Sequence, residues 1–369
     1  MLLHHVTNSL LPSAFASQDE QFERAFAVLK SGIERRAFPG ALVAVAQQGK
    51  LIAHKALGRF TYEFESPQVT QHTIYDLASL TKVLATTAAC MLLYARGLLR
   101  PEQRMNEILP DFGRDEARKR EITFRMLLTH SSGLPAYVKL FETARNREEL
   151  LQQAAACALA HEPGTHAEYS DIGFILLGEA LERITGEPLD EFCRREIFLP
   201  LRLQTMLFNP APELLARIPP SEDDHTFRRQ LIRGVVNDEN AWVLRGVSGH
   251  AGLFSTALDV AVFAECMLRG GAPLLDLHTV EVFTRREADP PGTCWALGWD
   301  TPSPPSQSGR YFSPGSYGHL GFTGTSLWID PQRHLSVTLL TNRTWPDRSS
   351  QAIKQIRPAF HDAVIEALK

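Results

Sequence analysis

Between Leu77 and Ala95 the chain carries a single charged residue, Lys82, in the almost uniformly apolar segment DLASLTKVLATTAACMLLYARG. A helix that is apolar on every side has no face to offer water, so this one is expected in a core, with Gly97 as its C-terminal stop. The chain can supply that core. Its 369 residues, 44% hydrophobic and 22% charged, read as one large domain or two tightly joined ones.

Lys82 is then the residue to explain. Ser79 and Lys82 stand three apart, on one face of the helix, so the lysine amine reaches the serine hydroxyl. A serine hydroxyl is a poor nucleophile at neutral pH without a neighbouring base. A lysine held in low dielectric loses proton affinity and can act as that base. The helix N-terminus also supplies N–H groups where an oxyanion would form. By itself S-x-x-K is a common pattern, and two further segments bear on it.

The first is Pro163-Gly164 followed by Tyr169-Ser170-Asp171, just ahead of the apolar helix IGFILLGEALERITG. Beside a cationic lysine the Tyr169 phenol is expected to ionise more easily, and so to take a proton from Ser79 or water and return it to a leaving group. The plainer alternative makes Asp171 a helix N-cap and Tyr169 a packing residue. The second is GHLGFTGTSLWID, in which His319 and Gly321 precede a strand. Gly321 would let a substrate backbone approach, and His319 would donate a hydrogen bond or charge to a substrate carboxylate or carbonyl. An edge strand with a surface histidine is the structural alternative.

The rest of the chain predicts the frame. Residues 19–36 place Phe22, Phe26, Leu29 and Ile33 on one face of an amphipathic helix. ALVAVAQ and KLIAHKA flank Gln48-Gly49 as a hairpin. At the far end TSLWI (325–329) and LSVTLLTN (335–342) flank Asp330-Pro331, and a closing helix over 349–368 carries Ile353, Ile356, Phe360, Val364 and Leu368 on one side. An α/β fold of the α+β type follows, with an antiparallel sheet built from both ends of the chain and flanked by helices. Residues 18–76 and 240–369 are assigned to it, and 77–239 to a mainly helical region. Residues 209–224 and 286–310 read as surface loops.

Composition excludes other classes. With 38 basic and 42 acidic residues mixed along the sequence, net −4, no nucleic-acid surface is expected. Cys90, Cys157, Cys193, Cys266 and Cys294 are scattered and read as free thiols. No stretch approaches about 18 uninterrupted apolar residues, so no membrane span is expected. Residues 1–17 read as a loosely packed leader, a cleaved signal being the alternative, since no Lys or Arg precedes the apolar run. A cytoplasmic monomer is the default, with a periplasmic or secreted location as the alternative.

His161-Glu162-Pro163-Gly164-Thr165-His166 cannot place both imidazoles on one helix face and is rejected as a zinc motif. No phosphate loop and no G-x-S-x-G elbow is present. His130 and His250 lie near Ser131 and Ser248, but near neighbours in sequence seldom aim side chains at each other, so these read as loop or supporting groups.

In order and separation, Ser79-x-x-Lys82, Tyr169-Ser170-Asp171 and His319-Leu320-Gly321 resemble the three motifs of the serine β-lactamase and penicillin-binding-protein superfamily. The likeness is nearest the class C β-lactamase branch, with its family VIII esterases, DD-peptidases and D-aminopeptidases. LLTHSSGLP, GVSGHAGLFSTALDV and GFTGTSLWIDP support it. The resemblance implies a β-lactamase/transpeptidase-like fold with Ser79 as nucleophile, Lys82 as its activating partner and Tyr169 as general base and acid. It also implies an oxyanion hole from the Ser79 and Phe322 N–H groups, substrate contacts at Asp171, His319 and Gly321, and no metal or organic cofactor.

Two departures shape the expected activity. The second motif usually ends in Asn, whose amide donates to a substrate carbonyl, whereas an ionised Asp171 only accepts. The third usually begins with Lys in efficient β-lactamases, whereas His319 is mostly neutral above about pH 6.5. An esterase with at most weak β-lactam hydrolysis is therefore favoured over a β-lactamase or D-amino-acid peptidase. The expected partner is a small ester, β-lactam or short peptide, and the non-enzyme alternative is an acylatable sensor.

Overall fold

The computed structural model describes residues 10–369. Its centre is a five-stranded antiparallel sheet in the order β2-β1-β5-β4-β3. These strands are β1 (Gly40–Gln47), β2 (Lys50–Gly58), β3 (Tyr317–Leu320), β4 (Ser326–Asp330) and β5 (Leu335–Thr341). Strands from the two ends of the chain meet in the middle, where β1 pairs β5 from Ala41↔Thr341 to Gln47↔Leu335. Gln48 and Gly49 both have positive φ, 51° and 74°, the turn whose twist matches a two-residue hairpin.

Both faces of the sheet are covered, because its strands alternate between two apolar layers. Ala41, Val43, Val45, Val337 and Leu339 pack beneath the terminal helices α1 (Glu23–Glu34) and α5 (Ile353–Glu366). Leu42, Ala44, Ala46, Leu327 and Leu340 face the larger core. That core holds α2 (Ala88–Ala95), α3 (Asp171–Thr185) and α4 (Ala257–Leu268). Residues 78–243 contribute no strand to the main sheet, but Leu207–Phe208 joins Tyr75–Asp76 and Leu253–Ser255 in a small second sheet.

The segment leading into α2 is not a regular α-helix. It opens with a 3₁₀ turn at Ala78–Leu80 and continues through a π turn at Lys82–Thr87, a distortion common at functional sites. By length and composition Ala78–Ala95 could cross a membrane, which the sequence reading did not anticipate; most of it is buried inside the fold. The predicted first helix is two pieces, Gln18–Gln21 and Glu23–Glu34, broken at the fully buried Phe22. The expected leader is corrected over residues 10–17 and lies outside the described residues over 1–9. Leu11 is fully buried, and Ala14 N–H bonds to Leu51 O at 2.8 Å, because β2 leaves an edge that accepts it.

One close approach positions the site. Gly249 lies so near α3 that an added Cβ would stand 2.1 Å from Phe174 O. The same loop accepts a hydrogen bond at Gly249 O from Thr86 Oγ1, 2.6 Å, and Leu253 N–H bonds to Thr81 Oγ1 at 3.1 Å. It is therefore wedged between α3 and the segment that carries Ser79. Gly249→Ala is expected to cost about 1–3 kcal/mol, read as a lower Tm by calorimetry; an unchanged Tm would mean the wedge can open freely.

Candidate active site

Ser79 sits partly exposed on the floor of a cavity of about 920 Å³. The residue before it is held in the left-handed region, Ala78 φ 47°, which costs free energy for any residue with a Cβ. Asp76 holds that turn, accepting the N–H groups of Ala78 at 2.8 Å and Asn237 at 2.7 Å. Burial pushes the Asp76 carboxyl up to about 6 against those two bonds.

Lys82 is completely buried and its ammonium meets three acceptors: Asp171 Oδ1 at 2.7 Å, Ser79 Oγ at 3.0 Å and the His250 carbonyl at 3.1 Å. Burial lowers its proton affinity, with Asp171 opposing. Tyr169 Oη lies 2.8 Å from Ser79 Oγ and donates to it. The expectation that Tyr169 ionises readily is overturned. Burial first and the Asp171 charge second push its phenol well above 10, so it is a neutral proton donor in the free protein.

Asp171 is not the N-cap of α3. That is Ser170, whose Oγ accepts from Gly173 N–H at 3.1 Å. Asp171, the first helical residue, lines the cavity and is engaged by Lys82. His319 is 2% exposed and also lines the cavity. Its Nδ1 bonds to Leu320 O at 2.8 Å; since a carbonyl only accepts, Nδ1 carries the proton and Nε2 is a bare acceptor. Burial, with Lys82 adding to it, takes His319 down to about 3. It therefore supplies neither charge nor an N–H to the cavity, contrary to the expectation from the sequence.

Gly321 is required where it stands, since a Cβ there would lie 1.9 Å from Thr325 Oγ1 and 2.5 Å from Leu77 O. The turn after β3 is thereby pressed against the backbone just ahead of Ser79. Neither the Ser79 nor the Phe322 N–H is used in the backbone bonds of the fold's turns and caps. Both residues line the cavity.

The histidines read in the sequence as loop or supporting groups take definite places beside the site. His130 accepts from Ser170 N–H through Nδ1, 3.0 Å, and its ring packs 4.7 Å from Tyr169 and 4.4 Å from Trp295. It fixes the tyrosine loop. Ser248 and His250, set aside because they are near neighbours in sequence, do aim at each other, Oγ to Nδ1 at 2.7 Å. Arg343 and Arg357 line the cavity while only 5% and 4% exposed. Nothing local in the sequence pointed to these two, because both depend on how the end of the chain folds back.

The Beta-lactamase family profile matches residues 25–358. The chain belongs to that family. It is 33% identical over 349 residues to an N-acetylmuramyl-L-alanine amidase of Bacillus subtilis, covering 83% of this chain and 77% of the relative. It is 32% identical over 346 residues to an Escherichia coli protein that carries the provisional name D-alanyl-D-alanine carboxypeptidase, covering 83% and 79%. A penicillin-binding protein homologue from Caulobacter crescentus superposes with a TM-score of 0.75 at 19% identity, over 94% of this chain and 98% of that one. The family consists of serine hydrolases, and the three motifs read in the sequence meet in one β-lactamase-fold site.

Tyr169→Phe retains the ring against His130 and deletes only Oη. It is expected to lower kcat/KM for a p-nitrophenyl ester by roughly 10²- to 10⁴-fold with Tm unchanged. Near-normal turnover would remove Tyr169 from the proton path.

Proposed function

We propose that this protein hydrolyses carboxylate-bearing peptides or amides through an acyl-enzyme on Ser79. Once the Lys82 ammonium has lost a proton to solvent, which its burial favours, Ser79 Oγ attacks the substrate carbonyl while its proton passes to the resulting Lys82 amine, and the Ser79 and Phe322 N–H groups hold the oxyanion. As the tetrahedral intermediate collapses, the C–N bond breaks and the leaving nitrogen takes the Tyr169 phenolic proton. Lys82 returns its proton to Tyr169. Water, deprotonated by the same pair, then releases the acyl group and restores Ser79.

The observation that carries the substrate class is a pair of buried guanidinium groups with no carboxylate in contact. The acidic residues lining the cavity are engaged elsewhere: Asp171 with Lys82, Asp238 with His250, Glu142 with Lys139 and Glu239 with Arg348. Asp300 is bonded by the Cys294 thiol. Among the described residues neither Arg343 nor Arg357 has a carboxylate within ion-pair distance. Arg343 donates to the carbonyls of Phe322, Arg348 and Ser350; Arg357 donates to Thr325 O and Gln307 Oε1 and leaves Nε without an acceptor. Burial and then the charge of Arg343 lower Arg357 to about 9, and burial and then Arg348 lower Arg343, with the more distant Glu222 carboxylate opposing. Buried cations without counter-ions are costly, and a substrate carboxylate would relieve them.

This is the cation that His319 does not provide, and it favours the peptidase alternative. The names of the amidase and carboxypeptidase relatives agree with that reading. Ester hydrolysis is the second reading, favoured by the neutral His319, and both share the Ser79 chemistry.

Wild type and Ser79→Ala would be incubated with a short N-acylated peptide ending in D-Ala-D-Ala and with a short-chain p-nitrophenyl ester, recording product and protein mass. Ser79-dependent release of D-alanine is the expected outcome. Ester turnover alone would favour the esterase, and one stoichiometric burst the sensor. Arg357→Met is expected to leave Tm unchanged or raise it while raising KM for the peptide about 10- to 100-fold and sparing the ester. Equal effects on both substrates would remove the carboxylate assignment.

A further inference from the structure

The third acceptor on Lys82 is a backbone carbonyl whose position is set by its own side chain. His250 Nε2 lies 2.8 Å from Asp238 Oδ1, and its Nδ1 lies 2.7 Å from Ser248 Oγ. An ionised carboxylate only accepts, so Nε2 carries the proton, and in the neutral ring Nδ1 accepts the Ser248 hydroxyl. This Ser–His–Asp chain is not a second hydrolytic site. Ser248 is 5% exposed and borders a void of about 10 Å³, too small for any substrate.

Asp238 is itself fixed. It caps the turn Glu239–Val243 by accepting Ala241 N–H at 2.7 Å, and it lines the catalytic cavity. Burial opposes its ionisation, but His250 and Ala241 hold it at about 2. The Lys82 ammonium therefore has two carboxylates near it, Asp171 in contact and Asp238 behind the imidazole.

We infer that Asp238, acting through the His250 imidazole, is a positioning residue for Lys82: the pair fixes the His250 carbonyl on the ammonium and places a second fixed negative charge behind it. The inference rests on Lys82 being the proton acceptor for Ser79. The other titratable groups near Lys82 are Tyr169 and Asp171 beside it and His130 and His319, close enough to feel its charge. All four are retained in the variants below.

The test is the pH dependence of kcat/KM for a p-nitrophenyl ester, with Tm measured alongside. Asp238→Asn keeps an oxygen for both N–H bonds and remains a good cap, so it removes charge alone. A negative charge favours the ammonium. Its loss makes Lys82 easier to deprotonate, and the midpoint of the acid limb is expected to fall by roughly one pH unit. A purely structural role would lower the rate without moving that midpoint. His250→Ala is expected to lose about a hundredfold in kcat/KM, and His250→Gln, which can still donate to Asp238, to recover most of it. An unmoved midpoint in Asp238→Asn would overturn the inference even if His250→Ala failed to fold. Turnover surviving in Ser79→Ala would bring down the acyl-enzyme reading as well. An inactive Ser79→Ala with an unmoved Asp238→Asn midpoint would remove the positioning role only.

Discussion

A fully buried ammonium must have every N–H bonded, because each unmet donor in low dielectric costs more than a hydrogen bond ordinarily returns. Lys82 meets that demand with acceptors from three separate stretches of chain: its own segment at Ser79, the first turn of α3 at Asp171 and the 248–253 loop at His250. The geometry of the site follows. α3 must present its N-terminal end to the Ser79 segment, and the loop must lie close enough to reach, which Gly249 allows. Tyr169 then falls within reach of Ser79 because it stands two residues ahead of Asp171.

Around that ammonium the cavity is kept free of competing charge. His130 and His319 are neutral because burial and the Lys82 field both disfavour a second cation, and Tyr169 remains protonated because burial and Asp171 disfavour another anion. The proton-handling end of the cavity thus holds the Lys82–Asp171 ion pair and the Asp238–His250 pair among otherwise neutral groups. Its fixed positive charge lies toward the C-terminal segment, where Arg343 also holds the Phe322 carbonyl at 2.7 Å. The residue that shapes the third-motif turn is therefore also one that would meet an anion.

Local chemistry wrote much of this into the sequence. The 77–95 run announced a core helix because it has no polar face, and Ser79 and Lys82 announced their contact because three residues return to the same side. The two hairpins were readable from period-two alternation and from turn residues such as Gln48-Gly49, so the sheet and its flanking helices could be anticipated. The three motifs located Ser79, Lys82, Tyr169, Asp171, His319, Gly321 and Phe322, which all reach one cavity apart from Lys82, which bonds to it from beneath.

Tertiary structure alone decided the electrical state of these groups. Whether Tyr169 ionises more or less readily depends on the balance between Lys82, Asp171 and burial, and spacing along the chain does not reveal that balance. His319 became an acceptor because its Nδ1 proton is taken by Leu320 O. Ser248, His250 and Asp238 became a connected chain only because the loop is wedged against α3, and Arg343 and Arg357 became cavity residues only when the C-terminal segment folded back against the turn after β3. The sequence by itself determined the elements and the residue types of the motifs, since those rest on periodicity and local contact. Charge, tautomer and long-range partners were left to the fold, because they are set by what surrounds a group in three dimensions.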